Sequence, residues 1–142
     1  MDNKKLEEVF QKMRVIVVDD VAADRLMVKT MLNKMHIKDV TEANDVKEAI
    51  FKIQTAQQFK KPFHLILSNW MMPGITGLQL LERIRAEANS SNIPVIMITG
   101  LADRDSVVQS ISSGVTDFLI KPVTKDNLEK KITALIEQGK IP

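Results

Sequence analysis

The chain has 142 residues, enough for one domain with a sizeable buried core. Hydrophobic residues at 44% against charged residues at 27% argue against disorder, and a net charge of +2 is too small to imply a nucleic-acid surface. There is no cysteine, so disulfides and thiolate chemistry are excluded. The first residues, MDNKKLEEVFQKM, lack the apolar centre of a signal peptide, and no apolar run approaches the length of a membrane span. The expectation is a cytoplasmic protein with neither membrane nor nucleic-acid partners.

Leu6, Val9, Phe10 and Met13 fall at helical spacing and predict an N-terminal helix over 1–12. Such a helix more often folds back on its own domain than serves a partner. A first strand follows at Arg14–Val18. Leu26, Met27, Met31, Leu32 and Met35 predict a helix, Asp39–Ala43 a more polar strand suited to a sheet edge, and Val46, Ala49, Ile50 and Ile53 a further helix. The stretch 55–62 reads as a polar loop. His64–Leu67 and Pro94–Ile98 are nearly continuous apolar strands, separated by a helix carrying Leu78, Leu81 and Ile84. Val107, Val108 and Ile111 mark a short helix, Asp117–Ile120 a fifth strand, and Leu128, Ile132, Leu135 and Ile136 the last helix. The main domain is expected over 13–138, with 139–142 as a tail. No linker or repeat divides it.

Strands alternating with helices imply a parallel sheet covered on both faces by right-handed crossovers. Ligands in such open sheets bind beyond the carboxyl ends of the strands. Those ends carry Asp19 and Asp20, Asn69, Thr99 and Lys121. Adjacent carboxylates suit a hard divalent cation, a lysine suits a phosphate oxygen, and a threonine hydroxyl can donate to another. Together they describe a phosphoryl site. Asn69 stands at its centre as a neutral amide, which cannot form an acyl phosphate.

The segments VIVVDD, LILSNWMMPGITGLQLL, PVIMITG and DFLIKPV resemble, in order and spacing, the signature segments of receiver domains of two-component signalling proteins, those of the chemotaxis regulators among them. The resemblance covers about Met13 to Ile136. It implies a flavodoxin-like α/β fold, a doubly wound five-stranded parallel sheet in strand order 2-1-3-4-5. It implies Mg²⁺ held by Asp20 directly, by Asp19 through water and by the Met71 backbone carbonyl. It also implies Thr99 as the switch hydroxyl, Lys121 bridging to the phosphoryl group, and a cis Lys121–Pro122 bond. Phe118 takes the aromatic switch position, where an inward, buried rotamer is expected. Val107, Ile111, Phe118, Lys131 and Ala134 take the output face. The implied partners are a sensor histidine kinase and an output protein, with the flagellar motor switch as the natural candidate.

The chain departs from that family at Asn69, where the phosphoacceptor aspartate belongs; weaker Mg²⁺ binding is expected to follow. Leu101 and Met71 also differ from the residues common in chemotaxis regulators, glutamate and asparagine. A stand-alone receiver altered at the single position 69, by engineering, explains an otherwise complete pocket. The alternative is a native receiver that binds its partner without phosphate. An enzyme is not expected: there is no P-loop, and Asp19-Asp20-Val21 lacks the DxD spacing of aspartate-based phosphatases. His36 and His64 read as structural, Trp70 as a half-exposed packing residue, and Met27, Met31, Met35, Met71 and Met97 as mostly core.

Overall fold

The computed structural model describes residues 2–70, 77–87, 89–100, 111 and 113–141. In chain order they form α1 (Asn3–Lys12), β1 (Arg14–Val18), α2 (Ala22–Lys34), β2 (Asp39–Ala43), α3 (Val46–Gln58), β3 (Leu65–Asn69), α4 (Gly77–Ala86), β4 (Val95–Thr99), β5 (Asp117–Ile120) and α5 (Lys125–Glu137). The five strands make one sheet in the order β2-β1-β3-β4-β5, with every pair parallel. This is the architecture expected from the sequence.

Side chains alternate between the faces of a strand, and here each face meets its own helices. Val15, Val17, Leu65, Leu67, Ile96, Ile98 and Leu119 pack against Val28 and Leu32 of α2, Met35 at its C-terminal cap, and Leu128, Ile132, Leu135 and Ile136 of α5. Ile16, Val18, Ile66, Val95 and Met97 pack against Val46, Ala49, Ile50 and Ile53 of α3 and Leu80, Leu81 and Ile84 of α4. Burial on both sides explains why β1, β3 and β4 read as unbroken apolar runs. Strand β2, at the edge, is only partly buried.

The N-terminal helix folds back. Phe10 and Met13 are buried in the first cluster, and Leu6 and Val9 pack against it. At the other end the expected tail is partly built in: Gly139, at φ 75°, turns the chain, Lys140 N–H donates to Leu135 O at 2.9 Å, and Ile141 is buried. The same helix-ending geometry places His36 at φ 72° after α2 and Lys60 at φ 57° after α3.

Three expectations are corrected. Helix α3 continues through Gln58, so the first half of the stretch read as a polar loop is helical. Glutamines lack the apolar signal of a stripe but are good helix formers. Leu26 and Met27 are exposed, because the buried stripe of α2 runs through Val28, Leu32 and Met35. Strands β3 and β4 each end one or two residues later than expected, so that Asn69 and Thr99 still lie on the ladder, opposite Ile98 and Ile120. The helix expected around Val107 lies outside the described residues, as does all of its stripe except Ile111.

Candidate functional site

The carboxyl ends of β1, β3, β4 and β5 converge as the topology requires. Asp19 follows β1 and is only 6% exposed. Its N–H donates to Ala43 O at 3.1 Å, and its Oδ1 accepts from Val21 N–H at 2.9 Å, which turns the chain into α2. Arg25 clamps this turn, Nη1 donating to Asp19 O at 2.6 Å and Nε meeting Glu42 Oε1 at 3.3 Å. Burial pushes the Asp19 carboxyl above the ordinary carboxylate range. The Val21 N–H and the Lys121 charge pull it back, while Asp24 and Asp20 push it further up. Asp20 is exposed, with its side chain in solvent reach beside its buried neighbour.

Asn69 closes β3 and is 7% exposed. Strand register places Ser68 beside Val18 and Asn69 beside Ile98, so the amide stands between Asp19 and the end of β4. The Ser68 hydroxyl donates to the Asn69 carbonyl at 3.2 Å. Thr99 closes β4, 8% exposed, and its carbonyl accepts Lys121 N–H at 2.8 Å. That bond fixes the start of the β5–α5 turn, in which Lys121–Pro122 is cis as expected. Lys121 Nζ lies 3.9 Å from Asp24 Oδ2 of α2. Asp19, Asp24 and Lys121 border a cavity of about 410 Å³ whose remaining walls are Met27, Val28, Ile98, Pro122 and Val123.

The structure therefore brings Asp19, Asn69, Thr99 and Lys121 to one rim, with Asp20 next to it. Met71 and Val107, expected as a metal ligand and an output residue, lie outside the described residues, as does Leu101. Ile111 is exposed. Phe118 is half-buried against the α3–α4 cluster rather than fully buried, since β5 is a sheet edge with one open flank. Lys131 Nζ pairs with Asp117 Oδ1 at 2.9 Å across β5 and α5. Trp70, expected half-exposed, is 6% exposed: its N–H donates to Ile98 O at 2.8 Å and its ring joins the cluster under α3 and α4. His64 is structural as expected, Nδ1 accepting Arg14 N–H at 2.9 Å. Asp24 and Arg25 were not singled out from the sequence; their only signal is the polar first turn of α2, VAADR.

No group of three or more histidine or acidic side chains among the described residues is arranged to hold a metal. The oxygen donors present nevertheless suit Mg²⁺, which keeps several waters and needs only one or two carboxylates. Asp19 adds a physical reason: a buried carboxylate with two acidic neighbours gains from a cation beside it. The fitting ligands are Asp19 and Asp20.

A sheet of this order, with an acidic pair after its first strand and a lysine after its last, has the layout of a receiver domain of two-component signalling. The model of the response regulator receiver domain family matches residues 15–133, and the chain belongs to that family. It is 30% identical over 126 residues to the chemotaxis protein CheY of Pseudomonas aeruginosa, covering 89% of this chain and 98% of that one. It is 31% identical over 134 residues to CheY-3 of Vibrio cholerae, covering 94% and 99%. Among solved structures, the chemotaxis protein CheY4 of Vibrio cholerae superposes with a TM-score of 0.78 at 28% identity, covering 86% of this chain and 97% of that one. A response regulator receiver protein from Pseudomonas putida gives 0.74 at 29%, covering 86% and 96%. Receiver domains of two-component systems bind Mg²⁺ at the acidic site and interact with histidine kinases and output partners. No helix among the described residues is long and apolar enough to cross a membrane.

Proposed function

We propose that this chain is a cytoplasmic, CheY-type receiver whose acceptor position cannot take phosphate, so that it acts by binding partners rather than as an enzyme. The observation that carries the reading is Asn69. It is buried at the end of β3, opposite Ile98 and one position short of Thr99, and its neutral amide cannot form an acyl phosphate. The surroundings keep what the chemistry needs. The Lys121 ammonium supplies a point charge for a phosphoryl oxygen, Thr99 a hydroxyl, and Asp19 and Asp20 the oxygens for Mg²⁺. Bound there, Mg²⁺ would neutralise charge on a transferring phosphoryl group.

Chemotaxis is the natural setting, supported by CheY relatives matched over nearly their whole length. The motor switch is then the output partner, and a sensor kinase the protein that would donate to an aspartate at position 69. Val21, Leu26 and Met27, apolar and exposed along the start of α2 next to the rim, support a docking surface for a phosphodonor protein.

A form changed at position 69 alone accounts for the retained pocket. The reading of a native, phosphate-independent receiver is favoured by one feature: Lys121 has an anionic neighbour in Asp24 without any carboxylate at position 69.

Intact-mass measurement after incubation with acetyl phosphate and Mg²⁺ tests the proposal. The chain as given is expected to gain no phosphate, and Asn69→Asp to gain one phosphoryl group. Stable phosphate on the unaltered chain, or none on Asn69→Asp, overturns it.

A further inference from the structure

At the opposite end of the sheet from the phosphoryl rim, along the β2 edge, an open cleft of about 470 Å³ lies between α3, β2 and the start of β1. Its walls are aromatic. Phe51 on the outer face of α3 and Phe59, which caps its C-terminal end, are 68% and 74% exposed, the two most exposed large apolar side chains among the described residues. Eight positions apart, their backbones stand roughly 12 Å from each other along the helix axis, with Thr55 between them on the cleft wall. Phe63, buried, forms the inner wall.

Every ionisable side chain lining the cleft is a cation: Arg14, Lys52 and Lys61. Arg14 is fixed in place. Its guanidinium lies 4.9 Å from the centre of the Phe63 ring, Nε meets Asp39 Oδ2 at 3.1 Å, and Nη1 donates to the Lys61 carbonyl. Lys52 is held by Glu48 at 2.8 Å. Lys61, which also lines the cleft, takes part in no ion pair among the described residues.

An apolar cleft of this size with a few convergent polar groups is the usual form of a small-molecule site. Exposed phenylalanines need an apolar body to cover them, and with Arg14 and Lys52 offset by Asp39 and Glu48, the remaining positive charge of Lys61 selects an anionic end. We infer that the cleft between α3 and the β2 edge binds a small carboxylic acid with an aromatic or aliphatic body, its ring between Phe51 and Phe59 and its carboxylate toward Lys61. The site shares no residue with the phosphoryl rim and does not depend on the reading of Asn69.

The probe is 2-naphthoate, titrated into the full chain by isothermal calorimetry, beside the neutral 2-naphthylmethanol and the cationic 2-naphthylmethylamine. One naphthoate per chain is expected, bound at least threefold more tightly than the alcohol, with the amine weakest. The gap should close at 0.5 M NaCl as the rim charges are screened. Phe59→Ser and Phe51→Ser should each weaken binding about tenfold, and Lys61→Glu should abolish the preference for the anion. Because these side chains face solvent, the variants are expected to keep the wild-type far-UV circular dichroism. Equal affinity for the three probes, or unchanged affinity in both phenylalanine variants, overturns the inference.

Discussion

Lys121 Nζ lies 3.9 Å from Asp24 Oδ2, so the ammonium group proposed to meet a phosphoryl oxygen already faces a carboxylate on α2. Both side chains are over a third exposed, and a pair of that kind contributes little to stability. Its effect belongs to the site instead: Asp24 competes for Lys121 and repels an incoming anion. In the Asn69→Asp protein, Asp24→Asn is therefore expected to speed phosphoryl uptake from acetyl phosphate about two- to fivefold. Asp24→Glu should keep the slower rate, and high salt should shrink the difference. An unchanged rate in Asp24→Asn would show that the pair has no hold on the lysine.

Asp19 is buried beside two other carboxylates, and its carboxyl is held above its usual range chiefly by burial. A group whose folded pKa is raised gives stability below its unfolded value, near 3.8, and loses it as pH rises through the folded value. At neutral pH the ionised side chain is thus a liability. Asp19→Asn keeps the oxygen that accepts Val21 N–H and removes the charge. In EDTA at pH 7 the variant should melt higher, by on the order of 2 °C. Near pH 3.5 the advantage should vanish, and Mg²⁺ is expected to raise the melting temperature of the unaltered chain more than that of the variant. A variant that melts lower at pH 7 in EDTA would contradict the charge argument.

His64 gives the second pH dependence, with the opposite sign. Its Nδ1 accepts Arg14 N–H at the start of β1, so the neutral ring is the form the fold requires. Burial, then the nearby Arg14 charge, lowers its pKa from 6.5. A base with a depressed folded pKa stabilises the protein above its unfolded value and loses that stability as pH falls through the folded one. Urea midpoints should therefore drop between pH 7.5 and 5.5. His64→Asn, which offers an acceptor at the same position without titrating, should flatten that slope. A slope unchanged by the substitution places the loss elsewhere.

The readable parts of this molecule were those with a local signal. Strands β1, β3 and β4 announce themselves because both faces are buried, and β2 because an edge strand is not. Asp19, Asp20, Asn69, Thr99 and Lys121 could be gathered because a parallel sheet places every strand end on one rim. What escaped depends on contacts between distant segments. The stripe of α2 could not show that Leu26 and Met27 would face out, since several registers of a short helix look equally apolar. Trp70 reads as a half-exposed packing residue, but its backbone N–H bonds to β4 and its ring is buried beneath α3 and α4. Asp24 gains meaning only from a lysine 97 positions away, and the Phe51–Phe59 cleft only from the edge strand folded beside it.

Gly77 connects the motif to the site in a way that can be tested. Its N–H donates to Trp70 O at 2.8 Å, closing the segment after β3 back onto the strand end. A Cβ on Gly77 would lie 2.7 Å from Asn69 O, 3.1 Å from Trp70 Cα and 3.2 Å from Met97 Sδ. Two of those neighbours are backbone, which cannot turn aside as a side chain can, so alanine here must move the end of β3. Overpacking of this kind costs about 1–3 kcal/mol. The displaced group is the backbone of position 69 itself, so the damage should exceed the loss of stability. In the Asn69→Asp background, Gly77→Ala should slow phosphoryl uptake at least tenfold at a temperature where the protein stays folded. Ile132→Val, a core change of about 0.5–1.5 kcal/mol on the other face of the sheet, should leave that rate within twofold. Equal rates in the two variants would reduce Gly77 to a packing residue with no bearing on the site.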